Sequence, residues 1–329
     1  MSDVYFTKKL DIEGVLDKIF FGDVSGQRVG IKVHFGEKGC TTFVPAKHIK
    51  RICDYVEKRG GTPVLLETNV LYRGERTRAS THIKLAKEHG FDFAKIDILD
   101  GEDGVLEEAY PVGLAHYTEA YIGGSLKKYD KLIVASHFKG HILTGFAGCI
   151  KNTGMGLATR KGKLRIHASR PPLIRPLKCN KCGLCVKSCQ GDAITLGFIP
   201  RIDKTKCQSC SRCIALCSKR AIITPFWSAS FKTASERIVE YAYAVQKQHE
   251  LIYLNFAINI TRNCDCMGRA QKPIMKDVGL FGSKDLLTVD LAAWERVKDS
   301  GHEFRSKNTV RYAKKVRLGE GKYKLIDLD

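Results

Sequence analysis

The sequence predicts an α/β protein in which a mostly parallel sheet is covered by helices and carries a small cysteine-rich insertion. Three observations support this prediction: strand-like and helix-like segments alternate before the cysteines, the alternation returns after them, and the cysteines fall into two matching runs. Such alternation is typical of parallel sheets, because each parallel connection needs a crossover, usually a helix. The chain has 329 residues, which is enough for about two domains.

The first half of the chain contains five periodic segments. They are a strand at Arg28–His34, a helix at Pro45–Lys58, a strand at Pro63–Glu67, a helix at Ala79–Glu88 and a strand at Lys131–Ser136. The strands are short apolar runs, and the helices repeat apolar residues at helical spacing. Proline begins the first helix, and Gly60 and Gly90 follow the two helices, where helices commonly end.

The same alternation returns in the last third of the chain. A helix is predicted at Ser230–Gln246, strands at Leu251–Ile260 and Val278–Phe281, and a helix at Leu286–Val297. Pro171, Pro172 and Pro176 stiffen the chain before the cysteines, and Pro225 marks the return to the alternating pattern. We therefore predict that residues 1–175 and 226–329 form one α/β host and that residues 176–225 form an inserted unit.

The inserted unit is defined by two identical cysteine runs. Cys179, Cys182, Cys185 and Cys189 follow the spacing C-x2-C-x2-C-x3-C, and Cys207, Cys210, Cys213 and Cys217 repeat it. This is the spacing of bacterial two-cluster ferredoxins, in which the fourth cysteine of each run ligates the other 4Fe–4S cluster. The predicted ligand sets are Cys179, Cys182, Cys185 and Cys217 for one cluster, and Cys207, Cys210, Cys213 and Cys189 for the other. The sequence thus predicts an inserted bacterial-type two-cluster ferredoxin module, because zinc sites seldom use three cysteines at this spacing.

The composition of the chain limits the kinds of binding partner and the cellular compartment that we expect. The formal net charge of +20 favours acidic partners: an electron carrier such as ferredoxin or flavodoxin, an anionic substrate, or nucleic acid. The chain has no RNA-binding or helix-turn-helix signature, which argues against nucleic acid. It also has no apolar stretch of the ~20 residues that span a bilayer, so no membrane association is expected. Cluster spacing and the lack of a signal-peptide pattern favour the reducing cytoplasm.

Polar side chains follow the predicted strands of the host. The candidate catalytic residues are Lys32 and His34 at the carboxyl end of the first strand, Glu37 just after it, His137 and His141 after the strand Lys131–Ser136, and Lys151 and His167 beyond a glycine-rich turn. Ligands bind at the carboxyl ends of strands in open α/β sheets. Histidines there could donate protons or ligate metal, since imidazole titrates near neutrality. Lys32, Lys151 and Arg160 would position negative charge, and Glu37 would orient a histidine or relay a proton.

The remaining cysteines divide into a close pair and three single residues. Cys264 and Cys266 form a C-x-C pair after the strand Leu251–Ile260, which could supply two ligands to a third metal or cluster, or act as redox thiols. Cys40 and Cys53 are predicted to be ordinary buried cysteines. Cys149 stays undecided because it neighbours Lys151.

Several ordered motifs carry a resemblance to a known family. They are KVHFGE from Lys32, the stretch Leu71–His82, the stretch Ser136–Lys163, the CDC segment and DVGLFGSKD from Asp277. Together they resemble a family of uncharacterised iron–sulfur-centre proteins, a domain-of-unknown-function family with a ferredoxin module inserted in an α/β host. The resemblance implies the fold and the clusters, and little about substrate.

A narrower resemblance concerns three of the candidate residues. His141, Lys151 and His167, with the glycine-rich turn between the first two, are similar in spacing to the catalytic stretch of the nickel-pincer lactate racemases. In those enzymes the lysine carries the pincer cofactor and the histidines ligate metal or move protons. Cys149 interrupts the usual glycine pair, and the racemases lack a ferredoxin insertion. The resemblance therefore indicates where the site lies and does not indicate racemisation.

These observations predict an iron–sulfur oxidoreductase. Low-potential electrons would pass one at a time through the two clusters to a basic pocket of the host, where an anionic substrate, a disulfide or a bound cofactor is reduced. One alternative is a pure electron carrier whose host is a docking scaffold. Another is a racemase-like or lyase-like metal enzyme whose clusters are structural.

Overall fold

The computed structural model describes residues 1–72, 74–225, 228–266, 268–304 and 306–329. Its strands are β1 (Ser2–Thr7), β2 (Arg28–Lys32), β3 (Thr62–Glu67), β4 (Lys95–Ile98), β5 (Glu107–Pro111), β6 (Glu119–Gly123), β7 (Lys131–His137), β8 (Lys139–His141), β9 (Gly145–Ala147), β10 (Leu173–Ile174), β11 (Ile194–Thr195), β12 (Arg201–Ile202), β13 (Ile222–Ile223), β14 (Glu250–Ala257), β15 (Gly279–Ser283) and β16 (Tyr323–Asp327).

The helices are α1 (Ile12–Ile19), α2 (Ala46–Glu57), α3 (Ala79–Glu88), α4 (Cys149–Gly154), α5 (Arg160–His167), α6 (Leu184–Lys187), α7 (Arg212–Leu216), α8 (Phe231–Gln248), α9 (Leu286–Asp299) and α10 (Lys307–Lys315). Short 3₁₀ turns lie at Glu75–Thr77, Gly124–Lys128 and Pro176–Lys178.

Eight of the strands form one central sheet in the order β16-β1-β15-β14-β7-β2-β3-β4. Neighbours from β14 to β4 are parallel, and β16 is parallel to β1. β15 alone among these described strands runs the other way, since it pairs antiparallel with both β1 and β14. The prediction of a mostly parallel sheet covered by helices is confirmed.

Helices cover both faces of the sheet. α1, α2 and α3 contribute to one apolar core, and α4, α8 and α9 contribute to the other. Along β7, Leu132 and Val134 join the second core while Ile133 joins the first, because successive strand side chains point to opposite faces. A strand buried on both faces therefore reads as a continuous apolar run, which is the pattern that predicted β7.

Most predicted segments agree with the structure to within two or three residues. α3 has the predicted bounds, α2 begins one residue after Pro45, and α8 begins after its N-cap Ser230, whose side chain accepts a hydrogen bond from Thr233 N. β14 ends three residues before the predicted Ile260. The chain turns there, since Asn259 has φ of 48° and its N–H donates to Asp277 Oδ1 at 2.6 Å.

Residues 173–223 form a small unit outside the central sheet. β10 pairs with β13 and β11 pairs with β12, both antiparallel, and the short helices α6 and α7 contact each other. A core of its own contains Cys185, Ile194, Ile214 and Ile222. Elsewhere, none of the described helices is long and apolar enough to cross a bilayer.

Candidate functional site

Four neighbouring parallel strands, β14, β7, β2 and β3, end at one edge of the sheet beside a cavity of about 230 Å³. Its lining contains six of the predicted site residues, namely His34, His137, His141, Lys151, His167 and Cys266. Three other predicted residues lie behind the lining and contact residues that belong to it. Lys32 contacts Glu67, Glu37 contacts Arg76 and Cys264 contacts Lys151. The cavity thus lies at the carboxyl edge of the sheet, where open α/β folds bind their ligands.

The cavity has an apolar side as well as a charged one. Val70, Leu71, Leu143 and Met155 line it together with the polar residues. Ile142 also lines it and is 67 % exposed, at the tip of the β8–β9 hairpin. A ligand that suits this cavity has an apolar body and a polar or charged end.

A buried ion pair fixes Lys32 at the end of β2. Its ammonium lies 2.9 Å from Glu67 Oε1 and donates to Asn152 Oδ1 at 2.8 Å. Burial lowers the pKa of Lys32 to about 8, although the Glu67 carboxylate opposes this. Burial would raise the pKa of Glu67, but Lys32 and Arg76 outweigh it and lower that pKa to about 2. Lys32 therefore connects β2 to β3 and α4 beneath the pocket.

Arg76 is a buried hub that the sequence does not predict. Its Nε lies 3.3 Å from Glu37 Oε2, and its Nη1 lies 3.2 Å from Glu67 Oε2. The same Nη1 lies 3.1 Å from His34 Nε2, and Nη2 donates to the Tyr72 hydroxyl at 2.7 Å. Burial and the Arg76 charge hold the pKa of His34 well below its ordinary value. Glu37 therefore orients Arg76, which in turn contacts the histidine.

Asp265 forms a second buried charge cluster next to the first, since its carbonyl oxygen accepts a hydrogen bond from the Glu37 N–H at 3.2 Å. Its Oδ2 lies 2.8 Å from His137 Nδ1 and 2.8 Å from Lys139 Nζ. The other His137 nitrogen, Nε2, lies 2.8 Å from the Ile258 carbonyl oxygen. Both nitrogens of His137 are thus engaged within the protein. These contacts hold the loop that carries Cys264 and Cys266 against β7.

The environment shifts the pKa values of the two cysteines of the C-x-C pair in opposite directions. Lys151 Nζ donates to Cys264 Sγ at 3.4 Å. A hydrogen bond from Cys266, helped by the Lys151 and Lys139 charges against the effect of burial, holds the pKa of Cys264 well below its ordinary value. The same hydrogen bond and burial raise the pKa of Cys266 well above its ordinary value. The arrangement is a thiolate paired with a lysine, beside a protonated thiol that faces the pocket.

Lys151→Met is expected to raise the pH at which this pair becomes a nucleophile. Loss of the adjacent ammonium removes the charge that stabilises the thiolate, and one unit of pKa is a tenfold change in thiolate fraction below the pKa. Anaerobic iodoacetamide labelling as a function of pH, followed by mass spectrometry of the tryptic peptide 263–269, should show the profile shifted to higher pH, with labelling about 10-fold slower on its rising part. Lys161→Met is the control, since Lys161 pairs with Glu107 at 2.8 Å. An unchanged pH profile in the Lys151 variant would contradict the pairing.

His141 and His167 line the pocket as neutral rings. His141 Nδ1 accepts from the Leu143 N–H at 3.3 Å, and burial together with Lys151 holds the pKa of His141 well below its ordinary value. Burial, Lys151 and Lys163 lower the pKa of His167 to about 3. The residue type alone predicts that both imidazoles titrate near neutrality. Their buried and positively charged surroundings lower both pKa values instead. Neutral imidazoles can accept a proton or ligate a metal.

The glycine-rich turn positions Lys151 through a buried cap. Asp290 Oδ1 and Oδ2 accept from the N–H groups of Cys149 and Ile150, at 2.7 and 2.9 Å. These are the first two residues of α4, and a carboxylate at a helix N-terminus is favourable. A Cβ at Gly148 would lie 2.4 Å from Asp290 Oδ1, so glycine is required at this position.

One face of α5 joins the pocket to the cysteine-rich unit. Lys163 and His167 line the pocket, and Arg160 precedes Lys163 by three residues on the same face. Burial lowers the pKa of Arg160, while Asp100 and the nearby Cys210 oppose that effect. Within the described residues, Arg160 Nε and Nη2 have no hydrogen-bond partner.

The eight clustered cysteines surround two separate small cavities. One is lined by Cys179, Cys182, Cys185 and Cys217, and the other by Cys189, Cys207, Cys210 and Cys213. These are the two crossed sets that the spacing predicts. In the part of the chain that the structure describes, no three or more His, Cys, Asp or Glu side chains are grouped tightly enough to hold a metal ion. Cys40, Cys53 and Cys149 are buried.

The structure adds several residues that the motifs do not single out. They are Glu67, Arg76, Lys139, Asn152, Lys163 and Asp265. Glu67 ends β3 at the carboxyl edge, and Lys163 is spaced three and four residues from Arg160 and His167, so both leave a signal in the sequence. Arg76 belongs to the Leu71–His82 motif, but it lies in a 3₁₀ turn without periodicity, so no local pattern marks it within that motif. Arg73 of the Leu71–His82 motif lies outside the described residues.

Comparison with solved structures finds likeness at low sequence identity. The apoprotein of lactate racemase from Thermoanaerobacterium thermosaccharolyticum has a TM-score of 0.47 and 13% identity, over 90% of this chain and 57% of that one. A Thermotoga maritima protein of known crystal structure has a TM-score of 0.44 and 11% identity, over 87% of this chain and 58% of that one. The chain thus spans somewhat more than half the length of these structures.

No curated protein matches the chain. A protein-family model does match, over residues 29–295, and it therefore covers the sheet strands β2 to β15, the pocket and all eight clustered cysteines. This chain belongs to the family named domain of unknown function DUF362.

Proposed function

We propose that this protein is an iron–sulfur oxidoreductase in which two 4Fe–4S clusters deliver low-potential electrons to the basic pocket. The observation that carries the proposal is that each crossed set of four cysteines lines its own cavity. Four thiolates that hold a cubane are spread around its body, so they enclose a space and do not converge on one point. The residues present fit two clusters, with residues 176–225 as the inserted ferredoxin module. When bound, such clusters supply one-electron transfer.

The exposure of the cysteines supports a direction for electron flow. Cys182, in the first set, is exposed to solvent. Cys210, in the second set, lies near the buried Arg160 at the start of α5. Arg160 Nε and Nη2, which have no hydrogen-bond partner in the part of the chain that the structure describes, fit a negatively charged group on this side. Electrons would therefore enter at the first set, cross to the second and reach the pocket along α5.

The surface around the first set suits an acidic electron carrier, such as a ferredoxin or a flavodoxin. Residues 176–225 contain nine Lys or Arg residues and two Asp residues. Leu177 and Phe198 are almost fully exposed, at 103% and 95%, and Lys181 lies over the Phe198 ring at 6.0 Å. A basic rim around apolar side chains favours an acidic protein whose contact surface has an apolar centre. We propose a cytoplasmic location, since that compartment keeps such thiols reduced.

In the host pocket, lysines would hold the substrate and the histidines would handle protons. Burial lowers the pKa of Lys163 to about 8, so its charge, and with it anion binding, would be lost as the pH rises through that value. His141 and His167 are neutral and face the same cavity, where they could accept protons. A third metal or cluster centre at Cys264 and Cys266 stays a prediction that the same metal analysis tests.

A racemase-like metal enzyme is the second candidate. The observation that favours it is that His141, Lys151 and His167, which share the racemase spacing, all line one cavity. In that case the clusters would be structural, and activity would survive with the clusters locked in one oxidation state. Under the first proposal, turnover would stop under that condition.

Anaerobic purification with metal and sulfide analysis tests the proposed function. We expect about eight irons and a similar amount of sulfide per chain, with an EPR signal that appears on reduction. About twelve irons, or one equivalent of nickel or another metal, would establish a further centre. Stoichiometric zinc without a reducible iron signal would contradict the proposal.

A further inference from the structure

The C-x-C pair occupies the inner wall of the pocket, and one of its sulfurs faces the cavity. Cys266 is a lining residue, whereas Cys264 is 5 % exposed and lies behind it. The two thiols are hydrogen-bonded to each other, and Lys151 Nζ lies 3.4 Å from Cys264 Sγ. The residue between them, Asp265, is anchored by Lys139 and His137. Two sulfurs in contact, one reachable and one stabilised as an anion, are the arrangement of a thiol pair that reacts by exchange.

We propose that Cys264 and Cys266 form a dithiol/disulfide couple that reduces a small anionic disulfide bound in the pocket. This inference rests on the proposed function for one point only, the supply of electrons that restore the dithiol. The chemistry of exchange itself needs only the two cysteines, Lys151 and the substrate.

The exchange proceeds in two balanced steps. The Cys264 thiolate takes the proton of the Cys266 thiol, and the Cys266 sulfur attacks one sulfur of the substrate, forming a mixed disulfide and releasing the first substrate thiolate. Cys264 then loses its proton and attacks the Cys266 sulfur, which forms the Cys264–Cys266 bond and releases the second thiolate. The pair holds one proton at the start, so the two substrate thiolates take up that proton and a second one from solvent. Two electrons and one proton from solvent then restore the thiol and thiolate of the starting pair, and two one-electron clusters supply that number of electrons.

The shape and charge of the pocket indicate the substrate class. The apolar side contains Val70, Leu71 and Met155, and suits the carbon chain of a low-molecular-mass disulfide. Lys163 Nζ donates to the Asn69 carbonyl oxygen at 2.6 Å and to the Thr68 hydroxyl, and takes part in no ion pair among the described residues. A charged lysine with neutral partners is the group that would bind a substrate carboxylate.

Anaerobic thiol release from 3,3′-dithiodipropionate, a disulfide dicarboxylate, tests the inference on the full holoprotein. We expect two thiols released per chain and a Cys264–Cys266 disulfide in the tryptic peptide 263–269, detected after acid quenching and maleimide labelling. Cys264→Ser lacks the sulfur that resolves the mixed disulfide. This variant should therefore release one thiol per chain, half the yield, and keep the other half of the probe as a mixed disulfide on Cys266. Cys53→Ala is the control and should behave as the unchanged protein, because Cys53 is buried within α2.

Electron delivery is measured on the same protein. Clusters reduced by dithionite, with the excess removed, should lose their reduced EPR signal as the Cys264–Cys266 disulfide disappears, two reduced clusters for each disulfide. A peptide 263–269 that always carries two maleimides would overturn the inference, even with full iron content. A disulfide that persists beside reduced clusters would overturn the coupling. A protein without iron that still releases two thiols would end the proposed function and leave the exchange chemistry standing.

Discussion

The double variant Cys185→Ala/Cys217→Ala is expected to keep about half of the iron, close to four atoms per chain. Both residues line one cavity, so under the proposed function the double variant removes two ligands from a single cluster. Cys185→Ala/Cys189→Ala, although its two cysteines are neighbours in sequence, should lose nearly all iron, because Cys189 lines the other cavity. Iron and sulfide analysis with EPR of the reduced protein measures both. These two variants separate crossed from uncrossed ligation.

The opposite pattern would identify uncrossed ligation, with each cluster held by one sequential run of four cysteines. In that arrangement the Cys185/Cys189 double variant would keep half of the iron and the Cys185/Cys217 double variant would lose nearly all. Cys40→Ala is the matched control, since Cys40 is a buried cysteine of the host near Thr42 and should leave the iron content unchanged. Equal iron in all variants would exclude these cysteines as ligands.

Arg76→Met is expected to lower the free energy of unfolding by about 3–5 kcal/mol, because it leaves the buried Glu37 carboxylate without an ion-pair partner among the described residues and leaves Glu67 with Lys32 alone. Glu37 and Glu67 both lie within ion-pair distance of Arg76, which is 1 % exposed. Urea unfolding of the anaerobic protein measures the change. The matched control is Arg78→Met, whose guanidinium is exposed and 3.7 Å from Asp103, and which should cost only about 0–1 kcal/mol.

A second substitution checks that the loss comes from unpaired charge and not from a change of shape. Glu37→Gln in the Arg76→Met background removes the carboxylate that has lost its cation and should restore part of the lost stability. Two destabilisations that simply add would indicate that Glu37 and Arg76 act independently. Equal stability of the Arg76 and Arg78 variants would show that the buried cluster contributes little.

The sequence predicts the sheet and helices well where local signals are strong. β2, α2, β3 and α3 combine apolar runs, glycine stops and a proline start, and these act over a few residues. The sequence does not predict β1 and β16, because these strands pair with each other across more than 300 residues, with Ser2 opposite Tyr323. Pairing over such a distance has no local pattern.

The part of the candidate site that lies at the carboxyl ends of strands can be predicted from the sequence. The sequence predicts His34, His137 and His141 as site residues because they lie at or just beyond the ends of strands, and all three line the cavity. The same rule does not say which nitrogen is already engaged, and His137 uses both of its nitrogens within the protein. The strand-end rule also fails to identify Arg76, whose ion-pair partners Glu67 and Glu37 lie in β3 and in the loop after β2. Side-chain networks depend on packing, which strand periodicity does not encode.

The pairing of β10 with β13 has a consequence for how such a chain can evolve. Leu173 lies opposite Ile223, so the polypeptide leaves and rejoins the larger body at two points one strand spacing apart, about 5 Å. A gap that narrow can be closed by a short turn, with little entropic cost. The cysteine-bearing segment can therefore be gained, lost or exchanged between relatives while the large sheet keeps its strand order.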